Sequence, residues 1–192
     1  MNPPPQPLAS PTPIETGNGL SRLRVCAFES RKGADLRALI ERMGGIATIA
    51  PSMREIPLTD NPLALAFGER LLAGNIDVMV FLTGVGARAL ADVLQTQYAL
   101  PDVIAALNQR VIVVRGPKPA VVLREWGVKI DVQVPEPNTW RDLLRAVEHA
   151  IPLAGKLIAV QEYGIPNEDL YAGLRALGGT VLPVPVYRWE LP

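Results

Sequence analysis

The sequence predicts an α/β fold of parallel sheets flanked by helices, in two lobes. Three observations carry this expectation. Short apolar runs alternate steadily with amphipathic stretches from Arg24 onward, the pattern of strand-helix-strand units with parallel sheets. Val78–Leu82 and Val111–Val114 are apolar at every position, as a strand covered on both faces requires. The chain also repeats itself. Val25–Leu58 matches Ile158–Pro192 through an apolar run ending in Glu29 or Glu162, through Asp35-Leu36 and Asp169-Leu170, through Gly44-Gly45 and Gly178-Gly179, and through Pro51-x-x-Arg54 and Pro185-x-x-Arg188.

The N-terminal segment, residues 1–23, holds six of the 19 prolines and no apolar periodicity. It reads as a disordered tail, without the basic and apolar regions of a secretory signal. Arg24–Phe28 is the first strand. Ala34–Met43 is a helix with Leu36, Leu39, Ile40 and Met43 on one face, stopped by Gly44-Gly45. Ile46–Ala50 returns as a strand. Pro62–Leu72 follows the cap candidates Asp60-Asn61, with proline in the first turn. Strand Val78–Leu82, helix Ala87–Leu94, short helix Asp102–Asn108 and strand Arg110–Val114 come next. Helix Ala120–Trp126 ends at Gly127, and Ile130–Val134 is a strand. Thr139–Ala150 is a helix with Asn138 as the expected N-cap and Ile151-Pro152 as its stop. Strand Leu157–Gln161, helix Asn167–Leu177 and strand Thr180–Val184 complete the series.

Residues 61–184 thus supply five strands, enough for a complete sandwich. The first unit supplies only β-α-β, too little to cover a sheet on both faces. Either it joins the larger sheet, or it is a fragment of a second lobe.

Lysine plus arginine and aspartate plus glutamate each number 19, so the net charge is zero. That balance does not favour nucleic acid or an anionic membrane as partner. No apolar run approaches the ~20 residues that span a bilayer. The single cysteine, Cys26, excludes an intrachain disulfide and fits a reducing cytoplasm. Its apolar run suggests a buried, inert thiol. His149 is the only histidine. It lies near a helix end and is expected to face solvent, which argues against a Ser-His-Asp triad and a zinc site.

Chemistry is expected at strand C-terminal ends, where open α/β sheets bind ligands. Thr83-Gly84-Val85-Gly86 offers a hydroxyl and helix-start amides to a carboxylate or phosphate. It is neither a dinucleotide fingerprint nor a phosphate loop, and a tight structural turn is its alternative reading. Arg115-Gly116-Pro117-Lys118-Pro119 adds two cations suited to carboxylates, or is a stiff solvated turn. Glu136-Pro137-Asn138-Thr139 offers helix-start donors, with capping by Asn138 or Thr139 as the simpler role. Gln161-Glu162-Tyr163-Gly164 places Tyr163 as a hydrogen-bond donor. The four loops form one rim fitted to a multiply anionic ligand.

The ordered set DVMVFLTGVGARAL (Asp77–Leu90), VIVVRGPKPAVVLREWGV (Val111–Val128), EPNTWRDLL (Glu136–Leu144) and VPVYRW (Val184–Trp189) resembles the uroporphyrinogen-III synthase family. The resemblance spans roughly Arg24 to Pro192. It implies two α/β domains joined by a two-stranded hinge, here Ser52–Leu58 and Val186–Pro192. Residues 24–51 would then be a β-α-β fragment of the first domain, whose remainder would follow residue 192, and residues 59–185 the complete second domain. The family's reaction closes hydroxymethylbilane, a linear tetrapyrrole, with inversion of ring D and loss of water, through an azafulvene cation and a spiro intermediate. It uses no cofactor.

By the same resemblance Tyr187 is the residue that assists hydroxyl departure. Thr83 inherits a substrate-binding hydroxyl. Gly84, Gly86, Arg115, Lys118, Asn138, Thr139 and Tyr163 complete the expected substrate contacts. Pro119 stands where the family has a threonine, with Lys118 as substitute anion contact, and Phe28-Glu29-Ser30-Arg31 matches the usual Thr-Arg-Pro opening only loosely. Some relatives with these signatures carry an added DNA-binding domain; for this chain no nucleic-acid or membrane partner is expected. The expectation is a cytoplasmic, monomeric synthase, weak or inactive as this chain. The alternatives are a noncatalytic tetrapyrrole- or anion-binding module of a regulator from the same family and an unrelated sugar- or nucleotide-binding domain.

Overall fold

The computed structural model describes residues 19–58 and 61–192. Most of the proline-rich tail, and Thr59 and the cap candidate Asp60, lie outside the described residues. The chain divides into two compact units, the described part of Met1–Arg54 with Leu191–Pro192, and Glu55–Glu190.

In the first unit, β1 (Arg24–Ala27) pairs in parallel with β2 (Ile46–Ile49), with α1 (Gly33–Arg42) between them in sequence. The pair forms its own two-stranded sheet and does not join the larger one. Exposure alternates along both strands, so Arg24, Cys26, Ile46 and Thr48 are exposed while their neighbours are half-buried. Cys26 is therefore an exposed thiol, contrary to the sequence expectation. An apolar run signals burial only when both faces of its sheet are covered, and one helix covers one face. On α1 only Ile40 is fully buried.

The second unit holds a five-stranded, all-parallel sheet. Its strands are β4 (Val78–Phe81), β5 (Val111–Val114), β6 (Val132–Gln133), β7 (Leu157–Gln161) and β8 (Thr180–Val184), in the order β6-β5-β4-β7-β8. Alternation on the central strand separates two apolar clusters. Met79 and Phe81 pack with Ile112, Val114 and the helices α2 (Pro62–Leu72), α3 (Gly84–Leu94), α4 (Leu100–Asn108) and α5 (Pro117–Glu125). Val78 and Val80 pack with Val113, Ile158 and the helices α6 (Trp140–Ala150) and α7 (Glu168–Ala176). All four residues of β4 are at most 1% exposed, as expected of a strand between two helical layers. β3 (Arg54–Pro57) and β9 (Tyr187–Glu190) pair in a separate two-stranded sheet.

The repeat is visible in the helix ends. Gly45 N–H donates to the Ile40 carbonyl at 3.0 Å, and Gly179 N–H donates to the Leu174 carbonyl at 3.2 Å. Gly44 and Gly178, at φ 81° and 88°, supply the left-handed residue this cap requires.

The start of α2 is fixed by Asn61, which is 3% exposed. Its Oδ1 accepts from Ala64 N–H at 3.0 Å, and its Nδ2 donates to the Pro185 carbonyl at 2.6 Å. Asn61→Ala removes a cap and leaves a half-buried carbonyl without its donor. The expected loss is about 1–2 kcal/mol in urea unfolding.

Candidate functional site

All five strands of the larger sheet run parallel, so the loops after β4, β5, β6 and β7 share one rim. Thr83 is the N-cap of α3, and its hydroxyl oxygen accepts from Gly86 N–H at 3.0 Å. The helix starts at Gly84, three residues before the predicted Ala87. No hydrogen-bond acceptor among the described residues faces the N–H groups of Gly84 and Val85. They are open donors of the first turn. Gly84 lies against α5: a Cβ there would come within 2.7 Å of the Lys118 carbonyl oxygen.

After β5 the chain turns through Gly116, whose φ of 146° is accessible to glycine. α5 begins at Pro117, and Pro119 falls within the same first turn. Two prolines remove two amide donors there, leaving Lys118 N–H and the Lys118 ammonium. The Lys118 ammonium has no partner among the described residues. The Arg115 guanidinium stacks over the Tyr163 ring, 4.7 Å from its centroid, an arrangement that holds a cation at a rim without neutralising it. Leu82, Arg115, Lys118, Pro119 and Asn138 line a concavity of about 300 Å³.

Residues 34–192 match the family described as HEM4, uroporphyrinogen-III synthase HemD. The chain belongs to the uroporphyrinogen-III synthase family. It is 30% identical over 175 residues to YjjA of Bacillus subtilis (strain 168), named an uncharacterized protein, covering 90% of this chain and 63% of that one. A mutant uroporphyrinogen III synthase from the extremely thermophilic bacterium Thermus thermophilus superposes with a TM-score of 0.71 at 26% identity, covering 88% of this chain and 64% of the enzyme. The wild-type Thermus enzyme gives 0.63 at 25% identity, covering 88% and 63%. The chain therefore spans just under two-thirds of the length of these relatives.

Other residues predicted for a uroporphyrinogen-III synthase site have structural duties here. Asn138 is not the N-cap of α6; Thr139 is. Asn138 sits at φ 60°, outside the extended region a cap residue adopts. Its amide nitrogen, oriented to satisfy both ends of the side chain, donates to the carbonyls of Val134 at 2.8 Å and Arg115 at 3.3 Å. Thr139 forms a reciprocal capping box. Its N–H donates to Asp142 Oδ2 at 2.9 Å, and its Oγ1 accepts from Asp142 N–H at 3.3 Å. The Thr139 hydroxyl, its N–H and Arg145 hold the Asp142 carboxyl below its ordinary range. The start of α6 thus already has an anion of its own.

Tyr187 is 3% exposed and packs with Val184 and Val186, its ring edge-on to Trp189 at 5.9 Å. The Trp189 indole donates to the Tyr163 carbonyl at 3.1 Å. Gly164, at φ 97°, faces that indole so closely that a Cβ would overlap it. His149 is exposed. Among the described residues no three His, Cys, Asp or Glu side chains group as metal ligands, and no helix is long and apolar enough to cross a membrane.

Gln161, placed by the sequence at a strand end and given no role there, bonds the turn after β4. It is fully buried, and its Oε1 accepts from both Leu82 N–H and Thr83 N–H at 3.2 Å. No motif marks it; an uncharged amide ending an apolar strand was the available signal.

Proposed function

We propose that the chain acts in tetrapyrrole biosynthesis as a uroporphyrinogen-III synthase, binding hydroxymethylbilane and directing its closure with inversion of ring D and loss of water. The observation that carries this reading is a rim with two un-neutralised cations and open helix-start amides in a chain of this family. Hydroxymethylbilane bears acetate and propionate groups, and the rim offers partners for them. Arg115 and Lys118 supply charge, Gly84 and Val85 supply N–H donors, and the Thr83 hydroxyl keeps its own hydrogen to donate while it caps α3. Tyr163 orients Arg115 from below. Asn138 and Thr139 shape the neighbouring loop. The chemistry is positioning and electrostatic: the substrate loses hydroxide readily, and the protein fixes which pyrrole carbon attacks. β3 and β9 serve in this reading as the hinge strands.

The test is incubation of hydroxymethylbilane with the chain, scored for the III over the I isomer. Isomer III above the spontaneous background supports the synthase. Tight binding of uroporphyrin with only isomer I favours the noncatalytic tetrapyrrole-binding reading. Neither binding nor isomer III overturns both. Where isomer III forms, Tyr187→Phe is expected to slow it a few-fold while uroporphyrin affinity holds, because its phenol assists a hydroxyl that already departs readily. Unchanged turnover would remove Tyr187 from the mechanism.

A further inference from the structure

We propose that Gln161 is the positioning residue of this site: it closes the crevice between β4 and β7 and sets the turn 82–86 against the Arg115–Lys118 side. The inference rests on the tetrapyrrole-binding reading.

The strand order runs outward from β4 in both directions, through β5 to β6 and through β7 to β8. The crevice between β4 and β7 is therefore the topological switch point, where doubly wound sheets commonly admit a ligand. In this chain a side chain of the protein occupies it. Gln161 lies in register with Phe81 across the β4–β7 pair. Its amide oxygen takes the first two N–H groups beyond β4, and its amide nitrogen donates to the Glu162 carbonyl. Both ends of the amide are thus satisfied at full burial, so its orientation is fixed rather than averaged. The opposing residue is Gly86, where a Cβ would overlap the Gln161 amide.

Two consequences follow for ligand binding. Leu82 N–H and Thr83 N–H are consumed inside the protein, so the open donors of the turn begin at Gly84. The turn is also gripped on two sides, by Gln161 at Gly86 and by the Lys118 carbonyl at Gly84. That grip places the Gly84 and Val85 donors beside α5 and not over β7. A carboxylate is then held between the α3 start and the Lys118 side, and the specificity of the rim for a multiply anionic macrocycle depends on a residue that never touches it.

The experiment is fluorescence titration of the chain with uroporphyrin, the oxidised octacarboxylate macrocycle. Wild type, Gln161→Met, Gln161→Glu, Gly86→Ala and the Gln161→Met/Gly86→Ala double variant are compared well below each melting midpoint. Gln161→Met keeps the volume and loses the acceptor, and it is expected to weaken binding about tenfold, the value of one misplaced charge-assisted hydrogen bond. Gly86→Ala displaces the same amide and should weaken binding similarly. The double variant should bind about as well as either single variant, because both act through one contact. Gln161→Glu keeps an acceptor but loses the donor to the Glu162 carbonyl and buries a negative charge beside the anion rim, so it should bind more weakly than Gln161→Met, an order that loss of packing alone does not produce. Should Gln161→Met fail to fold, Gly86→Ala against wild type carries the same comparison, because it displaces the same amide. Wild-type binding with equal affinity in the folded variants overturns the role of Gln161 alone, as do additive losses in the double variant. A folded wild type that binds no uroporphyrin overturns the binding reading and this inference with it.

Discussion

Tyr171→Phe is expected to destabilise the second unit by about 3 kcal/mol, because it strips a buried carboxyl of its donor. The Tyr171 hydroxyl donates to Glu162 Oε1 at 2.5 Å. Tyr171 is 2% exposed and Glu162 6%. The ring sits among Leu170, Leu174 and Val160, so phenylalanine preserves the packing and the loss isolates the hydrogen bond. Burial, and then the neighbouring Glu162, push the Tyr171 phenol well above its ordinary value.

The sign of the pH effect follows. A raised folded-state value means that the unfolded chain ionises first as pH climbs. The stabilisation is whole below the unfolded tyrosine value of about 10 and is lost progressively above it. Urea unfolding of the whole chain at neutral pH and at pH values above about 10 tests both statements. The wild type should lose stability faster with rising pH than Tyr171→Phe, and the two curves should converge. Parallel curves would mean that Tyr171 ionises equally in both states.

What the sequence made legible divides along physical lines. The core strands were legible because their cause is local: a run without a polar face has only one kind of place to go. Leu157–Gln161 and Thr180–Val184 keep their predicted bounds, as does α2 with its Asn61 cap and leading proline. The helix starts were less legible. Two glycines weaken the helical signal before Ala87, and α3 nonetheless begins at Gly84, because Thr83 caps it and only glycine fits against Gln161 and Lys118. α5 begins at Pro117, not at the predicted Ala120, since prolines suit a first turn whose amides need no partner. The exposure of Cys26 was not legible because it depends on whether both faces of its sheet are covered. In the site, the cations and hydroxyls could be named from residue type and strand-end position. Which of them remain unengaged could not. Asn138 and Thr139 look like donors in the sequence, and each is bound within its own loop. Gln161 bonds to residues 78 and 79 positions away, a separation no local pattern encodes.

Arg115→Ala and Lys118→Ala together are expected to weaken uroporphyrin binding about 100-fold, with each single change contributing about tenfold. Neither cation has an ion-pair partner among the described residues, so neither is already neutralised inside the protein. They rise from different elements, the end of β5 and the first turn of α5, and on this reading each takes a carboxylate of its own. Their losses should therefore add. Because both are rim charges, wild-type affinity should fall with added salt, and the double variant should show a shallower dependence. Arg145 provides the control. It is 75% exposed but paired with Asp142 beside the α6 capping box, so Arg145→Ala should leave affinity and its salt dependence unchanged. Stability should hardly move in the Arg115 and Lys118 variants, since neither makes a hydrogen bond through its side chain among the described residues, whereas Arg145→Ala gives up the bond to Asp142. Equal losses from Arg145→Ala and Lys118→Ala would mean that the ligand answers only to net charge. An undiminished affinity in the double variant would move the anion site away from the β5 loop altogether.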